Sequence, residues 1–329
     1  MPDQRGLTAL ADLATPMAIR VAATLGLVDL AGSAGATAPR LAADTGTAEP
    51  ALRRLLDHLV AVGVFDRDGD TYRPTDLGDQ MRADAPGPGR LVLDINSAGG
   101  RAELAFVELL SSVTTGEAAY PRRYGRGFWA DLDAEPELRR TFDLQMNRRF
   151  RVMAAQIAER YDWGRFGHIV DVGGGDGTVL AEIMQRHPDV RGTVVELPPT
   201  AAAAAERFAT AGLQHRAATV PGSFFDALPT GADAYVLSDI LHDWDDPHAA
   251  AILARCAAAA GPHGRVVVIE PILGEGTDTQ QDLFMLMCFA GRERDVDGLA
   301  ALAAEHGLAL LETVAVAEGR TLLEFRPTL

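Results

Sequence analysis

The chain has 329 residues, 47% of them hydrophobic and 23% charged, enough material for a packed core and for two domains. Its 30 Lys and Arg against 46 Asp and Glu give a formal net charge of −16, the wrong sign for a protein that grips nucleic acid or an anionic membrane. Cys256 and Cys288 stand apart in apolar, helix-like stretches without a CxxC or Cys/His cluster, which argues against a disulfide scaffold and a structural zinc site and fits a reducing, cytoplasmic setting.

The opening MPDQRGLTAL lacks the basic start and apolar run of a secretory signal, and no run of about 18 apolar residues predicts a membrane span. Leu10, Leu13, Met17, Val21, Leu25 and Leu27 then recur at helical spacing. Residues 37–79 follow a winged-helix pattern. One helix begins at Pro39 and breaks at Gly46; a second spans 49–62, with Leu52, Leu55, Leu56, Leu59 and Val60 inward and Gly63 at its end. Val64 and Phe65, a DRDGD turn, and Thr71 to Arg73 form the hairpin. A Pro/Gly loop over 84–89 and helices over 103–113 and 137–161 complete a mostly helical N-terminal domain, residues 1–160.

From Gly167 strands alternate with helices, which predicts an α/β domain over 161–329 with a Rossmann-like parallel sheet. The strands fall at 168–172, 193–197, 217–220, 234–238 and 265–270, with helices at 178–186, 200–211 and 247–260 between them. Helices near 282–289 and 295–306 precede two terminal strands, 309–316 and 320–325, whose separation by Ala317-Glu318-Gly319 suits an antiparallel hairpin. No internal repeat is present.

The densest motif is DVGGGDG, residues 171–177, where the first strand turns into its helix. Gly173, Gly175 and Gly177 allow a tight turn and close approach of a ligand to the backbone. A dinucleotide site wants Gly or Ala at 178 and finds Thr178, and its pyrophosphate would face Asp171 and Asp176. S-adenosyl-L-methionine has no phosphate and carries a cationic ammonium and sulfonium, which suit those carboxylates. Glu196, 19 residues past Gly177, stands where an acid accepts both ribose hydroxyls. LSDILHDWDD leaves the fourth strand, so His242 projects near the cofactor, and Glu270 ends the next strand. A carboxylate beside an imidazole fixes its tautomer and raises its basicity.

The combination of DVGGGDG, VELP, GSFFDALP, LSDILHDWDD, VVVIEP and DLFMLMCFAGRER resembles the small-molecule O-methyltransferase family over nearly the whole chain. ADLATPMAIRVAATL, FWADL and YDWGRFGHIVDVGGG look like its anthracycline-tailoring branch. The resemblance implies a class I methyltransferase fold, a homodimer, and methyl transfer to a hydroxyl of an aromatic polyketide, with S-adenosyl-L-homocysteine as the second product. It places Gly173 and Gly175 at the methionine part of the cofactor, Glu196 and Leu197 at its ribose and adenine, Gly222, Ser223, Phe224 and Trp244 around the adenine, and Ser238 nearby. His242 matches the general base, with Glu270 and Glu293 as flanking acids. Met285 matches a methionine that packs on an aromatic substrate, and Trp129, Met146, Phe150 and Phe289 are further candidate wall residues. Plant members have Asp at the positions of Glu196 and Ser223 and Lys at that of Ser238.

For a phenol of pKa about 10, a base such as His242 contributes roughly 10²–10⁴-fold. No metal is expected, since the DxxH spacing of Asp239 and His242 belongs to the family motif. Two rival readings stand beside methyl transfer. Some relatives of the anthracycline branch hold the same cofactor yet hydroxylate or decarboxylate, and the cofactor motifs do not separate these outcomes. A winged-helix DNA regulator is the other, opposed by four Arg and eight acids over residues 41–80. Arg148, Arg149 and Arg151 read first as a solvated helix face, with a substrate carboxylate as the alternative for one of them.

Overall fold

A computed structural model describes residues 6–85, 87, 89–274 and 279–328. The chain divides into two compact units, Met1–Leu104 with Trp129–Arg148, and Ala105–Phe128 with Arg149–Leu329.

In the first unit the apolar periodicity of residues 10–27 is cut into helices Leu7–Leu10, Ala14–Leu25 and Leu27–Ala31. The Asp12 carboxylate accepts the amides of Ala14 and Thr15 at 2.9 and 3.0 Å, opening the second helix, and Gly26 ends it in the left-handed region at φ 65°. Helices Ala38–Thr45 and Glu49–Ala61 follow, then strands β2 (Phe65–Asp68) and β3 (Thr71–Pro74). A further strand, β1 (Ala36–Thr37), pairs antiparallel with β3 and is too short to show alternation in the sequence. Asp57 ties hairpin to helix by accepting the Tyr72 hydroxyl at 2.7 Å and Arg67 at 3.0 Å. The core gathers Leu27, Leu41, Leu56, Leu59, Phe65 and Tyr72, all fully buried, while Leu7, Leu10 and Leu13 remain 82%, 51% and 70% exposed. Pro86 and Pro88 of the expected Pro/Gly loop lie outside the described residues. The helix expected over 103–113 is three pieces, Ala98–Leu104, a 3-10 turn Ala105–Glu108, and Leu109–Thr115.

The second unit is built on seven strands in the order β6-β5-β4-β7-β8-β10-β9. They are β4 (His168–Val172), β5 (Arg191–Glu196), β6 (Ala217–Pro221), β7 (Ala234–Ser238), β8 (Arg265–Glu270), β9 (Leu308–Ala317) and β10 (Arg320–Pro327). The first five in that order pair parallel; β10 pairs antiparallel with β8 and β9, which is the expected terminal hairpin. Successive residues serve opposite faces: Ile169, Val236 and Val267 enter one core with Trp163 and Ile183, and Val170, Tyr235 and Val268 enter the other with Ile252 and Leu253. Strand order reverses between β4 and β7, and their carboxyl ends open the crevice where such sheets take ligands. Helix Pro136–Glu159 begins in the first unit and ends in the second. Among the described residues no helix is long and apolar enough to cross a membrane.

Candidate active site

The candidate cofactor residues sit at the carboxyl ends of β4, β5 and β7 and in the segment after β6. Beyond β4 the chain turns through Gly173, Gly175 and Gly177, at φ 72°, 57° and 75°. A Cβ at Gly173 would lie 2.7 Å from Ile240 and one at Gly177 2.7 Å from the Phe208 ring, whereas Gly175 faces open space. Asp171 is buried with neither carboxylate oxygen hydrogen bonded, and Ser238 Oγ is likewise buried and unpartnered. Burial, with Glu196 and Asp176 nearby, pushes Asp171 up to about 7. Asp176 differs, because Arg207 pairs with its carboxylate and donates to its backbone carbonyl at 3.1 Å. The repulsion expected from two acids in this loop therefore rests on Asp171.

Glu196 ends β5 and accepts the amide of Leu197, which lies just past the strand, half exposed, as the N-cap of helix Pro198–Thr210. Gly222 donates to the Glu196 carbonyl at 2.9 Å, which sets the segment after β6 beside it. There Ser223 Oγ accepts the Phe225 amide, and Phe224 and Phe225 stand edge-on to Trp244 with centroids at 5.9 and 4.9 Å. Phe225 completes a wall for which the sequence suggested only Phe224 and Trp244.

His242 lies on the 3-10 turn Leu241–Asp243 after β7 and is 5% exposed. Its Nδ1 is 3.1 Å from Glu293 Oε1 and 3.5 Å from Glu270 Oε2, and its Nε2 is 3.6 Å from Asp243 Oδ1. Burial alone would depress the imidazole, but Glu270, Asp243 and Glu293 outweigh it and push it up to about 10. Burial also pushes Glu270 up to about 7 and Asp243 up to about 6, so these groups exchange protons as one unit. Donor atoms of His242, Glu270 and Glu293 lie within 4.8 Å of one another, close enough for an ion; a proton on Nδ1 goes to Glu293 Oε1, while Glu270 Oε2 and Glu293 Oε2 are buried without a hydrogen-bond partner among the described residues.

Several clamps hold this turn. Asp239 adopts φ 53°, uncommon for a side chain with a Cβ, and Arg320 grips its two oxygens at 2.6 and 2.9 Å. Arg294 donates to the carbonyls of Leu241 and Trp244, each at 2.8 Å, and Asp282 accepts the Glu293 amide at 2.8 Å. A Cβ at Gly291 would stand 2.2 Å from the His242 carbonyl oxygen, so the GRER segment packs directly on the turn. The adjacency of Asp243 to His242 was a usable sequence signal; the Asp239–Arg320 pair, 81 residues apart, offered none.

The five candidate substrate residues divide between the units. Met285 is buried on helix Thr279–Phe289, and Phe289 meets Phe128 edge-on at 5.1 Å in an aromatic group with Phe284 and Tyr120. Phe150 packs on the second unit's core. Trp129 and Met146 belong to the first unit, where Trp129 stands edge-on to Phe142 at 5.5 Å.

Residues 106–309 match the O-methyltransferase domain and residues 8–83 the O-methyltransferase dimerisation domain. The chain is 51% identical to a 2,7-dihydroxy-5-methyl-1-naphthoate 7-O-methyltransferase of Streptomyces carzinostaticus, covering 93% of this chain and 92% of that one. It is 44% identical to the aclacinomycin 10-hydroxylase RdmB of Streptomyces purpurascens over 92% of this chain and 83% of that one. Among solved structures, the O-methyltransferase NcsB1 from neocarzinostatin biosynthesis, in complex with S-adenosylmethionine and 2-hydroxy-5-methyl naphthoic acid, superposes with a TM-score of 0.93 at 49% identity, covering 98% of this chain and 99% of that one. Two matched domains and a relative half identical along nearly its whole length lead to one conclusion: the chain belongs to the O-methyltransferase family.

Proposed function

We propose that this O-methyltransferase moves the methyl group of S-adenosylmethionine to a hydroxyl of an aromatic polyketide in antibiotic biosynthesis. The observation that carries the reading is 51% identity, over 93% of the chain, to an enzyme named for methylating a dihydroxynaphthoate.

The residues fit the cofactor. Asp171, with two unpartnered buried oxygens, would take the methionine ammonium, and Ser238 would lie beside that part. Gly173 and Gly175 would border it, Glu196 would hold the ribose hydroxyls, and Leu197, Gly222, Ser223, Phe224 and Trp244 would enclose the adenine. When bound, S-adenosylmethionine supplies a methyl group activated by its sulfonium. The chain's own task is to align the acceptor oxygen with that methyl and take away its proton. With Nδ1 turned to Glu270 and Glu293, Nε2 of neutral His242 accepts the proton, and the two carboxylates stabilise the imidazolium formed. An imidazole near 10 is matched to a phenol of about 10, so the transfer is nearly balanced. Met285, Phe289 and Phe150 would supply apolar surface for a flat acceptor.

Residues 1–160 serve as dimerisation and substrate-wall domain and residues 161–329 as catalytic domain of a cytoplasmic homodimer; the dimerisation match supports the homodimer. The test is mass spectrometry after incubation with methyl-labelled cofactor and a panel of hydroxynaphthoates and larger aromatic polyketides, in buffer with and without chelator. A labelled ether, unaffected by chelator, is expected. The 44% identity to a hydroxylase favours one rival, for which the product is hydroxylated and unlabelled.

A further inference from the structure

Arg149 belongs to helix Pro136–Glu159 and to the same compact unit as His242. Its Nη2 lies 3.3 Å from Asp239 Oδ2. That carboxylate is already gripped at both oxygens by Arg320, whose side chain is 9% exposed against 32% for Arg149. One buried negative charge thus faces two guanidinium groups, and the second, outer one makes no other ion pair or hydrogen bond among the described residues. Its neighbours in the run are differently employed: Arg148 donates to the Ala83 carbonyl within the first unit, and Arg151 is exposed.

The direction of this surplus charge is given by its neighbours. Burial raises Asp243, and Arg149 is among the charges that pull it back. Asp243 stands beside Nε2 of His242, and Arg149 meets the same segment three residues before His242, at Asp239. Arg320 balances Asp239, which leaves Asp243 as the carboxylate beside Nε2, in a chain of net charge −16; without Arg149 an acceptor anion there would meet that negative charge. A guanidinium with open donors admits one, and its planar fork fits a carboxylate.

We propose that Arg149 is an acceptor-binding residue that takes a carboxylate placed next to the reacting hydroxyl, so that the enzyme selects aromatic hydroxy acids over the corresponding neutral phenols. This rests on the reading that His242 faces the acceptor hydroxyl.

The test measures binding rather than turnover. Protein loaded with S-adenosylhomocysteine is titrated in a calorimeter with a hydroxynaphthoic acid whose two groups sit on adjacent carbons, and with the matching naphthol. Wild type binds the acid more tightly than the naphthol. Arg149→Gln loses about tenfold to a hundredfold in acid affinity, the worth of a charge-assisted contact, and little for the naphthol. Arg149→Lys, which keeps the charge and loses the fork, recovers part of the loss. Affinity for S-adenosylhomocysteine, measured beforehand, stays at the wild-type value and reports an intact fold. Equal wild-type affinity for acid and naphthol overturns the proposal, as does a loss shared equally by both ligands or an Arg149→Gln protein that holds the acid unchanged. Labelled-methyl transfer is followed separately: an unlabelled product with acid selectivity intact sinks the methyl-transfer reading and leaves the role of Arg149 standing.

Discussion

Glu270 holds both the backbone of the His242 turn and the charge state of the His242 ring. Its Oε1 accepts the amides of Ile240 and Leu241 at 2.9 and 2.7 Å, and its Oε2 stands 3.5 Å from His242 Nδ1. The two effects separate by substitution. Glu270→Gln keeps an oxygen for the amides and removes the charge, so the imidazole releases its proton at lower pH and the rise of kcat/KM with pH moves down the scale. Glu270→Ala also strands two buried amides, at about 1–3 kcal/mol each, and lowers the melting temperature further. Rate profiles and thermal melts of both variants check this; an unmoved profile in Glu270→Gln overturns the electrostatic half.

His242 itself gives opposite signs for stability and activity. Its folded pKa, about 10, lies above the ordinary 6.5, so the protonated ring contributes stability that is complete below about 6.5 and lost as pH rises through 10. The base must be neutral, so kcat/KM climbs over the same interval. His242→Ala is expected to slow methyl transfer by roughly 10²–10⁴-fold near neutrality with cofactor affinity kept, and the gap narrows as a phenol of pKa about 10 ionises unaided. Equal rates for both proteins at every pH would remove His242 from the base role and leave alignment as the main device.

As the proposed ammonium ligand, Asp171 is expected to couple binding to folding. With its pKa raised to about 7 by burial, the empty protein is more stable with Asp171 protonated, and that contribution is lost as pH rises through 7. A cationic ammonium favours the ionised form, so S-adenosylhomocysteine binds more tightly as pH rises to about 7 and then levels off. Asp171→Asn is expected to bind it at least tenfold more weakly, with a flatter pH dependence, while the empty variant melts no lower than wild type at pH about 8. Calorimetry and melting curves on the same samples decide it; a variant that binds as wild type frees Asp171 from the cofactor.

The sheet was legible because its central strands carry apolar runs, such as VVVIE, ending near a glycine turn or an acid. The candidate residues around the sheet were legible because they belong to compact motifs. What supports them was not, since it comes from far along the chain. Arg320 reaches Asp239 across 81 residues, and Arg207 reaches Asp176 across 31, removing half of the loop's apparent negative charge. No periodicity encodes such pairs. The break at Gly26 was hidden because the apolar spacing runs on through it.

The dimerisation match carries its own test. Leu7, Leu10 and Leu13 are exposed apolar side chains at the start of the first unit, and a second copy is expected to cover them. Light scattering at micromolar concentration is expected to give twice the chain mass, and Leu10→Glu with Leu13→Glu to reduce it toward the monomer. A wild-type monomer at that concentration counts against the homodimer.

Gly291 tests whether catalysis depends on the exact seat of the His242 turn. A methyl group there would approach the His242 carbonyl oxygen to 2.2 Å and the Asp243 carbonyl carbon to 2.7 Å. Both are backbone atoms, so no side-chain rotation relieves the clash. The turn cannot slide away freely either, because Arg294 holds the carbonyls of Leu241 and Trp244, and Glu270 holds two of its amides. Gly291→Ala must therefore displace the turn or the GRER segment, at about 1–3 kcal/mol by the usual cost of overpacking. Either movement shifts Nε2 relative to the acceptor or Glu293 relative to Nδ1. The expected variant binds S-adenosylhomocysteine normally, melts lower than wild type and loses kcat by at least tenfold, since small misplacements of a positioned base are costly. Wild-type kcat together with a lowered melting temperature would show that the turn tolerates displacement, and that its clamps serve stability rather than the placement of His242.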